Sequence, residues 1–336
     1  MPPITFRLSL TKMKDSLKKA ILSCTQASDA KLIKVIQELW SGYGFIARIE
    51  LNDSHESTVI VKDIELPEHN KHPRGWNTSA SHERKIKSYE VEIEWYKSYS
   101  AFCDESCRVA KYLTSTQDQK NTFIVLEDLD TAGYPIRKAR LDKEEAKTCL
   151  TWLANFHATF LNKSPKNIWP IGSYWHLATR KDEFNAMADG ILKQSAKQID
   201  KLLNNCHYQT IIHGDAKIAN FCFSEDGKNV AAVDFQYVGG GCGMKDIAYF
   251  LGSCLNENQC KIWEDELLEA YFSALKHAIE ARGIDINFKV LENEWRQLYP
   301  IAWTDFTRFL LGWMPTHDKL NGYSQEMVNR VLNSIF

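Results

Sequence analysis

The fold of this chain is decided by His213-Gly214-Asp215-Ala216-Lys217-Ile218-Ala219-Asn220, followed by Val230-Ala231-Ala232-Val233 and then by Asp234-Phe235-Gln236. These residues set an aspartate, a lysine, an asparagine and a second aspartate in a fixed order. Segments 221–223 and 229–235 are typical of short strands, and Ser-Glu-Asp-Gly-Lys between them is typical of a turn. A loop, a tight hairpin and a strand end would therefore bring Asn220 and Asp234 together in space.

The polar side chains of this stretch suit the transfer of a phosphoryl group. That reaction proceeds mainly through positioning and through screening of charge on the phosphate oxygens. Carboxylate and amide oxygens are the ligands that Mg²⁺ prefers, so Asn220 and Asp234 are the predicted metal ligands. Asp215 would accept the proton of an acceptor hydroxyl, and Lys217 would offset charge on the transferred phosphate. The pattern therefore predicts a site that uses ATP and Mg²⁺.

A family resemblance supports this interpretation. Segment 213–220 matches the H-G-D-x-x-x-x-N catalytic loop of the aminoglycoside phosphotransferase and choline kinase superfamily, with the ecdysteroid kinase-like branch as a near relative. Segments 234–236 and 246–251 resemble the D-F/W-x metal triplet and the D-[IL]-A-x-x-L helix start of that group. The resemblance implies an α+β, two-lobed protein kinase-like fold, with a small β-rich N-lobe at 1–129 and a larger, mainly helical C-lobe at 130–336.

The resemblance also implies a glycine-bearing turn and a strand lysine near the N-terminus. Segments 34–40 and 45–51 are typical of strands, and Gly42 and Gly44 lie in the turn between them. This turn has two readings, a loop whose backbone closes over phosphates and an ordinary hairpin turn. The next strand ends in Lys62, where kinases place the lysine that contacts the α- and β-phosphates.

A helix is predicted over 82–100, because its apolar residues recur at helical spacing. Glu92 precedes Trp95 and Tyr96 by the offset of the family's E-x-x-[FW]-Y pattern, so it is the predicted partner of Lys62. Glu83 is the alternative.

The segment 123–129 resembles the hinge strand of the superfamily, which is often written L-x-L-E-D-L. The resemblance implies that main-chain groups from Glu127 to Leu129 bind adenine, since the purine edge is read by N–H and C=O groups. The other reading of this segment is a buried strand without a ligand.

Composition narrows the remaining choices. With 41 basic and 43 acidic residues, the formal net charge is −2, so we expect no nucleic-acid partner. The nine cysteines show no paired C-x-x-C spacing, which favours reduced thiols in the cytoplasm. The first residues lack an apolar leader, and no run of about 18 apolar residues occurs, so we expect no membrane insertion. The oligomeric state is left open.

The sequence says less about where the acceptor alcohol binds. Aromatic residues recur every three or four positions along a predicted helix. The stripe that they form suits either a face packed in the core or the wall of a pocket for a cationic or sterol-like alcohol. It consists of Trp295, Tyr299, Trp303, Phe306, Phe309 and Trp313. Asp305 lies within it and would add a carboxylate for a cationic acceptor. His157 is expected to be a packing residue, and loop 66–81 is read as a surface insertion or a flap.

We therefore expect a kinase that phosphorylates a small-molecule hydroxyl, of an amino alcohol, an aminoglycoside, a sugar or a sterol-like alcohol. A protein kinase is disfavoured because Gly214 and Gln236 replace the arginine and glycine of its H-R-D and D-F-G motifs, and because no A-P-E triplet occurs. A nucleotide-binding pseudokinase or scaffold is the other alternative. It is disfavoured because all the polar groups that the reaction needs are present.

Overall fold

The computed structural model describes residues 13–39, 42–65, 79–118 and 122–335. The chain packs into two compact units. The first unit draws on Met1–Gly75 and Ala110–Ala132, and the second on Trp76–Val109 and Gly133–Phe336. The loop that we discussed at 66–81 lies, up to residue 78, outside the described residues.

The first unit is a five-stranded antiparallel sheet with one helix, α1 (Asp15–Thr25). Its strands are β1 (Asp29–Glu38), β2 (Gly44–Asn52), β3 (Thr58–Ile64), β4 (Tyr112–Gln117) and β5 (Thr122–Glu127). The order across the sheet is β1-β2-β3-β5-β4, so β3 lies at the centre. The strands predicted within 34–40, 45–51 and 123–129, and the strand predicted to end in Lys62, are thus confirmed, with shifted ends.

The core of this unit lies between α1 and one face of the sheet. Alternate residues of β2, Ala47 and Ile49, are buried there together with Leu17 and Ile21 of α1. The period of two places every second side chain of a strand on the same face, so the apolar residues of β2 select the register of the sheet.

The second unit is mainly helical. Its helices are α2 (Ser79–Ser98), α3 (Lys143–Thr159), α4 (Lys181–Ala186), α5 (Ile191–Asn204), α6 (Met244–Cys254), α7 (Glu257–Ala281), α8 (Phe288–Trp313) and α9 (Gly322–Ile335). Its strands are β6 (Thr210–Ile212), β7 (Phe221–Phe223), β8 (Val230–Ala232) and β9 (Gly239–Gly241). β7 pairs with β8, as predicted, and β6 pairs with β9.

The glycine run 239–241 forms strand β9. A Cβ on Gly239 would lie 2.2 Å from the carbonyl oxygen of Trp169, so the backbones approach more closely than any other residue allows. The glycines here permit packing of backbone on backbone.

Helix α2 packs with the second unit, although we assigned it to an N-lobe at 1–129. The indole of Trp95 stacks on Phe235 at 4.5 Å, and Phe156 of α3 lies 5.5 Å from the same indole. The metal triplet and α2 therefore share one aromatic cluster. The lobe boundary itself stays a prediction.

The aromatic stripe on α8 is core along most of its length. Trp295, Tyr299 and Phe309 are each at most 1% exposed, and Trp303 donates a hydrogen bond to Ser324 Oγ at 2.9 Å. Only the C-terminal residue of the stripe, Trp313, is half-buried. Among the helices that the structure describes, none has the length and apolar composition to cross a membrane.

Candidate active site

The predicted catalytic loop leaves β6 through a fixed backbone bend. The side chain of Asp246, at the start of α6, accepts the N–H of His213 at 2.6 Å and the N–H of Gly214 at 2.9 Å. Asp246 also contacts His157 Nε2 at 3.1 Å, and His157 is fully buried. His157 is therefore a packing residue, as expected. The third family motif thus acts as an anchor for the loop.

Asp215, which follows this bend, is held by two side chains of its own loop. Lys217 Nζ donates to Asp215 Oδ2 at 2.8 Å. Asn220 Nδ2 donates to the main-chain oxygen of Asp215 at 2.8 Å and to its Oδ2 at 3.1 Å. Because the Lys217 and Asn220 side chains both bond to Oδ2, the carboxylate has one defined orientation, and its Oδ1 is the oxygen that these two side chains do not use.

Lys217 keeps its positive charge in this environment. Burial opposes the charge, but the nearby carboxylates of Asp215 and Asp234 outweigh it and hold the pKa of the ammonium above its usual range. The side chain can therefore supply a permanent cation beside Asp215.

The two predicted metal ligands are brought together by the backbone. The N–H of Val233 donates to the carbonyl oxygen of Asn220 at 3.0 Å, and Asp234 is the next residue along the chain. Asp234 has a φ of 69°, a left-handed conformation that is costly for any residue but glycine and is common at functional sites. The amide and carboxylate oxygens form a hard donor set, which fits Mg²⁺.

His213 is a neutral structural residue. Its Nδ1 accepts the N–H of Asp215 at 3.3 Å, so its Nε2 carries the proton and donates to the carbonyl of Val233 at 3.1 Å. Burial lowers the pKa of the imidazole. His213 therefore ties the catalytic loop to the strand that leads to Asp234.

Gln236, the departure from the family triplet, links that triplet to α2. Its Oε1 accepts a hydrogen bond from Lys85 Nζ at 2.9 Å, and its Nε2 lies 3.4 Å from Glu92 Oε2. Glu92 is 2% exposed. Lys62 belongs to the first unit, so its predicted pairing with Glu92 stays a prediction.

The other predicted nucleotide residues belong to the first unit. Lys62 lies on the central strand β3, between Ile46 and Ile124 of the neighbouring strands, and is 5% exposed. Gly42 and Gly44 lie in the β1–β2 turn with φ values of 75° and 111°. The structure places them in a hairpin turn, and their contact with phosphates stays a prediction.

Close packing within the sheet also requires glycine at position 44. A Cβ there would lie 2.0 Å from the main-chain oxygen of Asp63 on β3. The close approach, together with the positive φ, excludes larger residues.

At the predicted hinge, the main-chain N–H groups of Glu127 and Leu129 differ in whether they are already hydrogen-bonded. The N–H of Glu127 is used, because it donates to the carbonyl of Lys111 at 3.0 Å. The N–H of Leu129 donates to no acceptor within the described part of the chain. Leu129 thus offers the main-chain donor that binding of a purine would need.

Asp128 has a structural role that sequence reasoning missed. It is 1% exposed and accepts hydrogen bonds from Arg48 Nε at 2.5 Å and from Thr58 Oγ1 at 2.8 Å. Arg48 also pairs with Asp130. This network ties the hinge to β2 and β3. No spacing rule indicated Arg48, because it lies 80 residues from Asp128 along the chain.

The suggested role of Asp305 for a cationic acceptor is not supported. Asp305 is 1% exposed and binds Arg308 Nε at 2.9 Å. The arginine neutralises the carboxylate, so it offers no charge to a ligand. A spacing of three residues on a helix permits this pair, but only the packing of α8 buries both side chains.

Comparisons with known proteins show which family and which fold the chain resembles. A model of the Ecdysteroid kinase-like family matches residues 45–167 and 170–283. The chain resembles the structure of a microcompartment-associated aminopropanol kinase, with a TM-score of 0.54 and 14% identity, over 93% of this chain and 91% of that one. It also resembles a choline kinase from Cryptosporidium parvum Iowa II, with a TM-score of 0.52 and 12% identity, over 90% and 89%.

A third similar structure is amicoumacin kinase in complex with AMP-PNP, Ca²⁺ and Ami, with a TM-score of 0.50 and 12% identity, over 91% of this chain and 87% of that one. No curated protein matches the sequence. The predicted α+β, two-lobed kinase-like fold and the predicted superfamily are confirmed. Because the family model spans more than half of the sequence, the chain belongs to the Ecdysteroid kinase-like family.

Proposed function

We propose that the protein transfers the γ-phosphoryl group of ATP to a hydroxyl of a small molecule, with Mg²⁺ as the cofactor. The observation that carries this proposal is the set of bonds around Asn220. Its amide donates to Asp215, and its main-chain carbonyl holds Val233 next to Asp234. Asn220, itself a proposed metal ligand, thus connects the proposed base to the other proposed ligand, Asp234.

Asp215 is the proposed general base. One of its carboxylate oxygens is held by Lys217 and Asn220, and we propose that the other accepts the proton of the acceptor hydroxyl. Lys217, charged and 2.8 Å from Asp215, would stabilise the negative charge that gathers on the transferred oxygens. When bound by Asn220 and Asp234, Mg²⁺ would screen the charge of the phosphates.

The first unit would supply the nucleotide contacts. We propose that Leu129 N–H donates to adenine, that Lys62 contacts the α- and β-phosphates, and that the Gly42–Gly44 turn covers them. Glu92 is the proposed partner of Lys62. The central position of Lys62 on its sheet and the available N–H of Leu129 support these roles.

We also propose that the protein works in the cytoplasm. All nine cysteines are free thiols, which suits a reducing compartment.

The test is ATP consumption by the wild-type protein and by Asp215→Asn, with a panel of amino alcohols, aminoglycosides, sugars and sterols. Asp285→Asn is the matched control, because Asp285 is exposed and has no partner among the described residues. We expect Asp215→Asn to lower kcat by roughly 10²–10⁴. We also expect Mg-ATP to raise the Tm of the wild-type protein and of Asp215→Asn, since a ligand that binds only the native state stabilises it.

Three outcomes separate the alternatives. Wild-type turnover by Asp215→Asn would show that Asp215 is not the base. A shift of Tm by Mg-ATP without any acceptor turnover would favour the scaffold alternative. No shift of Tm at all would contradict nucleotide binding.

A further inference from the structure

An aromatic wall lies beside Asp215 in the second unit. The ring of Tyr174 lies 5.3 Å from Tyr249 and 5.4 Å from Phe309, and Tyr249 lies 5.0 Å from Phe306. Burial raises the pKa of the Tyr174 and Tyr249 phenols, and the nearby charge of Asp215 raises it further. The wall therefore presents two neutral phenol hydroxyls and several apolar ring faces close to the proposed base, Asp215.

Lys319 faces this wall. Its Nζ lies 5.6 Å from the ring centre of Tyr249 and 5.9 Å from that of Phe306. Among the residues that the structure describes, none accepts a hydrogen bond from this ammonium or forms a salt bridge with it. Burial lowers the pKa of Lys319, and Asp215 and Lys217 are close enough to affect it as well.

The backbone of Lys319 is held in place. It belongs to the turn between α8 and α9, and its carbonyl accepts a hydrogen bond from Ser324 Oγ at 2.6 Å. The same hydroxyl accepts the indole N–H of Trp303 at 2.9 Å. The side chain of Lys319 therefore extends from a backbone position that is held by hydrogen bonding.

The other charged groups near the wall are either paired or exposed to water. Arg180, which lies over Tyr174 and Phe309, binds Glu183 Oε1 at 3.0 Å. Asp318 is 91% exposed at its side chain, so water screens its charge, and it lies 2.7 Å from His317 Nδ1. Apart from Asp215, no carboxylate described at this wall is therefore left to attract a cation.

We propose that Lys319 binds an anionic group of the acceptor, so that the substrate is an alcohol that also carries a carboxylate or a similar anion on an apolar body. This inference rests on the proposed function, because it places the acceptor next to Asp215. A partly buried ammonium that lies over aromatic faces gains a charge-assisted hydrogen bond from such a ligand. A cationic acceptor would be repelled by Lys319, whereas the charge of Lys217 is already paired with Asp215 at 2.8 Å.

The experiment uses three probes, each a benzene ring with a hydroxymethyl group, that differ in the charge of the para substituent. They are para-hydroxymethyl benzoate, para-benzenedimethanol and para-hydroxymethyl benzylamine. Binding to the full chain is measured by isothermal titration calorimetry, and ADP formation is measured in parallel. The variants are Lys319→Met and Lys319→Arg, with Lys289→Met as the control, because Lys289 is exposed and has no partner within the described residues.

We expect the wild-type protein to bind the benzoate at least roughly tenfold more tightly than the diol, and the amine most weakly, as a hydrogen bond between charged groups predicts. Lys319→Met should remove the difference between benzoate and diol, whereas Lys319→Arg and Lys289→Met should keep it. When turnover of the benzoate is measured, Lys319→Met should raise KM more than it lowers kcat.

Equal binding of the three probes, a preference for the amine, or no binding of the benzoate would overturn the assignment of Lys319. So would an unchanged preference in Lys319→Met. Binding of the benzoate that depends on Lys319 but yields no ADP would leave the anion site standing and count against the proposed function.

Discussion

Replacing Gly214 by alanine tests whether the bend before Asp215 is what positions the proposed base. Gly214 has a φ of 78°, and a Cβ on it would lie 2.0 Å from the main-chain oxygen of Tyr237 and 2.7 Å from the N–H nitrogen of Ser173. Gly283 is a matched control, because its φ is 61° but no atom lies within 4 Å of its added Cβ. The two substitutions share the conformational strain and differ in the close approach.

The magnitudes follow from these contacts. A left-handed conformation costs alanine about 1–2 kcal/mol at either position. At Gly214, relief of the clash must also disturb two backbone hydrogen bonds, Ser173 N–H to Tyr237 and Tyr174 N–H to Gly214, both at 3.1 Å. Leaving one or two buried groups unpaired adds about 2–4 kcal/mol. Gly214→Ala should therefore be less stable than Gly283→Ala by that amount.

Urea unfolding checks the difference, read as a shift in midpoint at constant slope. Activity gives a second measure, because a displacement of Asp215 by about 1 Å is expected to lower turnover roughly 10²-fold. Equal stability of the two variants, or full activity of Gly214→Ala, would refute the view that this bend is fixed by steric contact.

Three further substitutions probe other parts of the second unit. Asp246→Asn leaves one donor of the catalytic loop unpaired in a fully buried place, so we expect a loss of about 3–5 kcal/mol in urea unfolding, against almost none for Asp285→Asn. Lys217→Met should lower kcat by roughly 10²–10³ with little change in KM for ATP. Burial raises the pKa of Glu264, so its contribution to stability is present at acid pH and is lost as the pH rises through the folded pKa. Glu264→Gln should therefore unfold at a higher temperature than the wild type at pH near 8 and at the same temperature at pH near 4; a difference independent of pH would contradict this.

Much of the first unit and of the catalytic loop was predictable from the sequence. Strands β2, β3 and β5 are apolar and bounded by turn residues, and local patterns of this kind determine local structure. Asp215, Asn220 and Asp234 were predicted from their order and spacing, because a short hairpin leaves few ways to connect them.

The contacts that hold these residues were not predictable. Asp246 anchors His213 across 33 positions of sequence, and Arg48 binds Asp128 across 80. Such pairs depend on how distant elements pack. Asp305 was misjudged because an aspartate in an aromatic stripe gives no sign of its burial.

The sequence by itself determined the family, the order of the polar groups and the class of chemistry that they suit, because these depend on residue types at short spacings. Only the tertiary structure decided which charges are neutralised. It pairs Asp305 with Arg308 and leaves Lys319 over aromatic rings without a hydrogen-bond acceptor among the described residues. The physical reason is that the state of a charge depends on burial and on neighbours brought in from elsewhere in the chain, and the fold supplies both.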